Sequence, residues 1–132
     1  MHISKACILG GTGFVGRHLV RRLTAQGVRC RVLTRHAHRH AELLVNPGCE
    51  LLEVDPFNEQ ALQEALHGCD AAINLVGILN EARPGRDFRH VHIELVEQLV
   101  SACREAGIGR LLHMSALHAD AAAGSSDYLR SK

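Results

Sequence analysis

Three residues near the end of this 132-residue chain have types and spacing suited to proton transfer. Tyr128 and Lys132 form a YxxxK, and Ser115 stands upstream of both. On a helix, positions i and i+4 share a face, so the phenol and the ammonium can meet. A phenol of pKa about 10 is a poor acid–base group at neutral pH. A neighbouring ammonium favours the phenolate and brings that chemistry into range. A serine hydroxyl beside the pair can hold a substrate oxygen. The set suits exchange between a carbonyl and an alcohol. A YxxxK arises often by chance; its order after a serine at a strand end gives it weight.

A second segment concerns phosphate. Leu9 to Gly16 reads LGGTGFVG, which is both GxGxxG (Gly11, Gly13, Gly16) and GxxGxxG (Gly10, Gly13, Gly16). Thr12, Phe14 and Val15 complete the turn. Glycines there let the backbone turn tightly, bring amides against a pyrophosphate and pack a helix close to a strand. The helix N-terminus adds the positive end of its dipole. An apolar strand precedes the turn and a helical pattern follows, which is the context a dinucleotide site needs. A glycine-rich turn without a ligand is the alternative.

The end of the second strand selects between cofactors. NAD sites place an Asp or Glu there for the ribose hydroxyls. Here the segment is Val32-Leu33-Thr34-Arg35-His36, with no carboxylate before Glu42. Arg35 suits a 2′-phosphate and Arg39 can assist, so NADP(H) is favoured over NAD(H). A solvated loop charge is the competing reading of Arg35. Asp55, directly after the third strand, either accepts from an adenine amino group or serves a turn or helix cap before Pro56. Asn74, Val76 and Gly77 end the fourth strand and complete the expected cofactor set. Gly77 lets the backbone approach a ribose that Ile78 covers; a strand-to-loop turn is the alternative.

These residues need elements to hold them. Ala6–Leu9, Arg29–Leu33, Glu50–Val54, Ala71–Val76 and Arg110–Met114 read as strands. Phe14–Gln26, Asn58–Leu66 and Phe88–Ala106 read as helices, each followed by a glycine. A loop with a short helix spans Thr34 to Leu44. The stretch from Ala116 to Gly124 is loop-like, and Ser126 opens another helix. Alternation of this kind means βαβ units, a parallel sheet and right-handed crossovers. The expected order is 3-2-1-4-5, with helices on both faces.

Composition bounds the rest. The chain is 46% hydrophobic and 22% charged, an ordinary globular balance that excludes wholesale disorder and collagen. Its longest apolar runs fall far short of the ~20 residues a membrane span needs, and no signal peptide is read. Fifteen basic against fourteen acidic residues give +1, and aromatics are 3% of the chain. Neither a nucleic-acid footprint nor a base-stacking surface is expected. Five scattered cysteines without a CxxC point to a reducing, cytoplasmic compartment rather than a disulfide framework or zinc site. The ten histidines alternate at His36, His38 and His40 and at His90 and His92. No Cys or carboxylate completes a ligand set, so they are expected in solvated positions, with no metal.

GGTGFVG, the strand-four NLVG, the strand-five Ser and the YxxxK, in that order, resemble the short-chain dehydrogenase/reductase superfamily in its extended and atypical branch. TGFVGRHLV, LTR, NLVGIL and YLRSK are most similar to the NAD(P)-binding proteins related to the 39-kDa accessory subunit of respiratory complex I. The resemblance covers essentially the whole chain. It implies a Rossmann-type, doubly wound α/β domain over residues 1–132. It also implies Ser115, Tyr128 and Lys132 as the catalytic set of an oxidoreductase or epimerase acting on a small-molecule substrate. The complex I resemblance implies the other function: a non-catalytic NADPH-carrying module of a larger assembly, peripheral to a membrane through a partner. Two departures from the superfamily pattern stand out. His92 takes the place where an Asn often completes the catalytic set. The chain also stops at Lys132, so the domain is expected to be C-terminally truncated, without its substrate region.

Overall fold

The computed structural model describes residues 1–81 and 87–132. Five strands form one parallel sheet: β1 (Lys5–Leu9), β2 (Arg29–Thr34), β3 (Cys49–Glu53), β4 (Ala71–Asn74) and β5 (Leu111–His113). Their order is β3-β2-β1-β4-β5, as the alternation predicts. β1 lies at the centre, paired with β2 from Lys5↔Arg29 to Leu9↔Leu33 and with β4 from Ala6↔Ala71 to Leu9↔Asn74. The chain leaves β1 toward β2 and later returns to its other side as β4. That reversal opens a crevice beyond the carboxyl ends of β1 and β4, where ligands of open α/β sheets bind.

Both faces of the sheet are covered. Along β1, Cys7 and Leu9 point to one side and join Leu62, Leu66, Leu99 and Ala102. These four belong to the helices α2 (Glu59–Leu66) and α3 (Leu95–Glu105). Ala6 and Ile8 point to the other side and join Val20, Val32, Leu43 and Ile73. Val20 belongs to α1 (Phe14–Ala25), and Leu43 to the 3-10 segment Ala37–Val45. Burial on both faces is why β1 and β4 read as unbroken apolar runs rather than alternating ones. A last short helix, α4 (Asp127–Ser131), is capped by the Ser126 side chain, which accepts from the Leu129 amide at 3.2 Å.

Two elements depart from the periodicity. Strand β4 ends at Asn74 rather than Val76, because the Asn74 Oδ1 accepts the Val76 amide at 3.1 Å and turns the chain out of the ladder. The long helix expected from Phe88 begins as a π turn, Arg89–Glu94, before becoming α3. The Leu95 amide there reaches the His90 carbonyl, five residues back. Widened turns of this type often sit at functional sites. This one aims Val91 and His92 inward together.

Candidate dinucleotide site

The glycine turn joins β1 to α1. Gly10 adopts φ +79°, and a Cβ there would stand 2.9 Å from the Leu75 carbonyl carbon, so only glycine fits between the ends of β1 and β4. At Gly16 a Cβ would stand 2.4 Å from the Gly11 Cα, so α1 lies directly on the turn. Gly13 differs. It is the residue before the first helical turn, has φ −80°, and a Cβ there would meet only the Gly10 carbonyl oxygen, at 3.5 Å.

No side chain caps α1, and no acidic residue stands in its first turn. The first amides of a helix have no partner within it, so those of Phe14, Val15 and Gly16 point outward beside Gly13. The Arg17 guanidinium donates to the Thr12 carbonyl at 2.9 Å and stiffens the turn. Phe14 and Val15 are exposed at its outer side. A cradle of glycine backbone closed by an uncapped helix N-terminus fits a pyrophosphate.

A cleft of about 230 Å³ runs from this turn across the carboxyl ends of the strands. Gly10, Thr12, Arg35, Val76, Gly77 and Ile78 line it. Arg35 is exposed at one end, and among the described residues it has no ion-pair partner. The first carboxylate after it, Glu42, is already paired with Arg17 at 2.6 Å. The end of β2 therefore presents positive charge and no carboxylate of its own. Leu33, Val54, Phe57, Val91 and Leu95 supply apolar walls.

Seven expected cofactor residues fall outside the lining: Gly11, Gly13, Phe14, Val15 and Gly16 of the glycine turn, and Asp55 and Asn74. Asp55 forms a turn: its Oδ1 accepts the Phe57 amide at 3.0 Å, while Asn58 caps α2 through the Ala61 amide at 3.1 Å. The cleft wall at this point is Val54, Pro56 and Phe57. Asn74 is fully buried. Its amide nitrogen lies 3.2 Å from the His113 Nδ1 and its oxygen is occupied by Val76, so it joins β4 to β5.

The three residues expected to transfer protons lie around the Val76–Ile78 end of the cleft, with no bond between the Tyr128 hydroxyl and the Lys132 ammonium or Ser115 among the described residues. The Lys132 ammonium donates to the Val76 carbonyl at 3.3 Å, and burial pulls its pKa below the ordinary lysine range. A Cβ on Gly77 would stand 2.8 Å from that ammonium, so glycine is what lets it approach β4. The Ser115 hydroxyl donates to the Lys132 carbonyl at 3.3 Å. The Tyr128 ring packs edge-on against His92 at 5.5 Å and Phe88 at 5.9 Å.

His92 corrects the expectation of solvated histidines: it is 4% exposed. The π turn rotates it under the Ile78 segment, whose amide donates to its Nε2 at 3.0 Å. Burial, then the charges of Lys132 and His113, lower its pKa. His90 is half-buried, stacked on Phe57 at 4.0 Å and bonded to Glu94 at 2.7 Å. The sequence reading missed Phe57, Ser131 and His113, which no spacing rule marks.

A family of proteins described as NAD(P)H-binding matches residues 10–131. The chain belongs to that family. It is 33% identical over 134 aligned residues to the mouse mitochondrial NADH dehydrogenase (ubiquinone) 1 alpha subcomplex subunit 9, covering 96% of this chain and 34% of the subunit. It is 35% identical over 115 residues to the ceramide reductase of Caulobacter vibrioides, covering 85% of this chain and 34% of the reductase. The chain thus spans about a third of the length of these relatives. Uronate dehydrogenase from Agrobacterium tumefaciens, solved with NAD, shares the fold with a TM-score of 0.73 at 23% identity, over 89% of this chain and 43% of the enzyme. The chain is an NAD(P)-binding Rossmann domain. No helix among the described residues is long and apolar enough to cross a membrane.

Proposed function

We propose that this chain is the cofactor half of an NADP(H)-dependent oxidoreductase or epimerase of the short-chain dehydrogenase/reductase type. The observation that carries this reading is the glycine turn before the uncapped N-terminus of α1, whose Gly10 and Thr12 line a cleft that also takes in Arg35. The pyrophosphate lies against the first amides of α1. The Arg35 guanidinium holds the 2′-phosphate, with Arg39 in support. Val76, Gly77 and Ile78 border the ribose. The cofactor supplies a hydride acceptor or donor. Tyr128 exchanges the proton of the substrate oxygen, the Lys132 ammonium favours its phenolate, and Ser115 orients the substrate. Calorimetry with NADPH and NADH tests the cofactor assignment: tighter binding of NADPH supports it, and equal or tighter binding of NADH refutes it.

A second reading has its own support in the likeness to the mouse complex I subunit over 96% of this chain and in His92 where an Asn often stands. In it the chain carries NADPH without turnover inside a larger assembly. A screen of NADPH against carbonyl substrates, using a chain of the relatives' full length, separates the two. Consumption of NADPH that Tyr128→Phe abolishes selects the enzyme; none across the screen selects the carrier.

A further inference from the structure

His92 makes two bonds whose directions fix its protonation. The Ile78 amide donates to Nε2 at 3.0 Å, so that nitrogen carries no hydrogen. A neutral ring then bears its hydrogen on Nδ1, which lies 2.9 Å from the Ser131 Oγ. The Ser131 hydroxyl passes its own proton on, donating to the Tyr128 carbonyl at 3.1 Å. Every polar atom in this relay is satisfied in one arrangement only. It joins the loop after β4, where Ile78 lines the cleft, to α4, which carries Tyr128 and is followed by Lys132.

The surroundings oppose a charged ring. Phe88 stacks on it at 5.5 Å, and the Tyr128 edge closes on it at 5.5 Å. From α4 the facing cation is Lys132, whose ammonium meets Nε2 across Gly77: a Cβ there would stand 2.8 Å from one and 3.5 Å from the other. From β5 the facing group is His113. On its own helix the titratable neighbours, His90 and Glu94, bond to each other. Among the described residues no carboxylate pairs with the ring. Protonation would set an Nε2–H against the Ile78 N–H, donor facing donor, on a ring only 4% exposed.

We propose that His92 is a positioning residue, a proton-sensitive latch that holds the Ile78 segment against α4 while its ring is neutral and releases it when the ring is charged. Resting on the cofactor reading above, the consequence is that acid weakens NADPH binding by freeing one wall of the cleft. An Asn at this position offers an acceptor and a donor but does not titrate, so His92→Asn separates positioning from proton sensing.

Two measurements test the latch. In the free chain at neutral pH, nitrogen NMR of the imidazole should show a protonated Nδ1 and a bare Nε2. The Ile78 amide should shift in step with the ring on acidification. An Nε2–H tautomer, or an Ile78 amide indifferent to the titration, overturns the proposal. NADPH affinity is then followed by calorimetry from about pH 8 to about pH 5, for the native chain, His92→Asn and His92→Leu. Acidification should cost the native chain up to about tenfold more affinity than His92→Asn, the scale of one lost hydrogen bond. The leucine variant should bind weakly throughout. The native–Asn difference cancels every contribution the two proteins share. Superimposable profiles of those two proteins overturn the proposal. Absence of NADPH binding at every pH instead refutes the cofactor reading, and the ring and amide titrations still decide the latch.

Discussion

Arg35 gains its leverage from what surrounds it: an exposed guanidinium at the end of β2, no ion-pair partner, and the next carboxylate already held by Arg17. A charge-assisted bond to a 2′-phosphate is worth about 1.5–3 kcal/mol. Arg35→Ala should therefore weaken NADPH binding roughly 10- to 150-fold and leave NADH nearly unaffected. Calorimetry on both nucleotides checks it, and equal losses would place Arg35 among plain loop charges. At this scale the sequence is legible where residue type alone fixes geometry. Gly10 and Gly16 are glycines because a Cβ would collide with backbone at 2.9 and 2.4 Å. It is silent where a role depends on what lies across space. Nothing in the order of residues sets Phe57 against His90, or turns Asn74 from a cofactor ligand into a strand tie.

Elements carry the site through a few contacts. The cradle exists because α1 rests on the turn at Gly16, in a gap too narrow for a side chain. Gly16→Val should overpack that junction and destabilise the free protein by about 1–3 kcal/mol or more, read from a urea melt. Removing the α2 cap with Asn58→Ala should cost about 1 kcal/mol in the same assay. Cofactor affinity should stay intact, since α2 meets the cleft only through its preceding loop. The helices are legible because amphipathic stretches stop at or next to a glycine, and the strands because short apolar runs stop at a glycine or at polar residues. The π turn is not, because an i→i+5 turn of six residues leaves no period distinct from an ordinary helix. Nothing in the helical period therefore marks His92 as buried, although the turn buries it.

Acid response belongs to the whole molecule, because its ionisable groups are spread over the π turn, β5, β3 and the residue before β4. Burial of His92, and partial desolvation of the more exposed His113, with the Lys132 charge beside both, lower their pKa values. Between the ordinary imidazole value, about 6.5, and their folded values, the unfolded chain binds more protons, so stability falls as pH drops through that window. Glu50 is lowered by hydrogen bonds from Lys5 and Arg31, and Asp70 by bonds from Ser4 and Lys5. Their contributions hold above the ordinary carboxylate range and are lost further down, as pH falls through the folded values. Urea midpoints should therefore decline in two stages, and His92→Asn should shrink the first while leaving the second. A single decline confined to carboxylate pH would contradict the histidine assignment. The parallel order of five strands was legible at this scale, since strand–helix alternation leaves few chain paths. The central claim is that the turn before α1 holds a dinucleotide, and NADPH calorimetry on Gly13→Val tests it most directly. At φ −80°, with only the Gly10 carbonyl oxygen near, a valine fits the free fold yet fills the space before the α1 amides. NADPH binding should disappear while the melting temperature of the free protein changes by only a few degrees. Unchanged affinity in that variant would make the glycines a turn and nothing more, and would contradict the account.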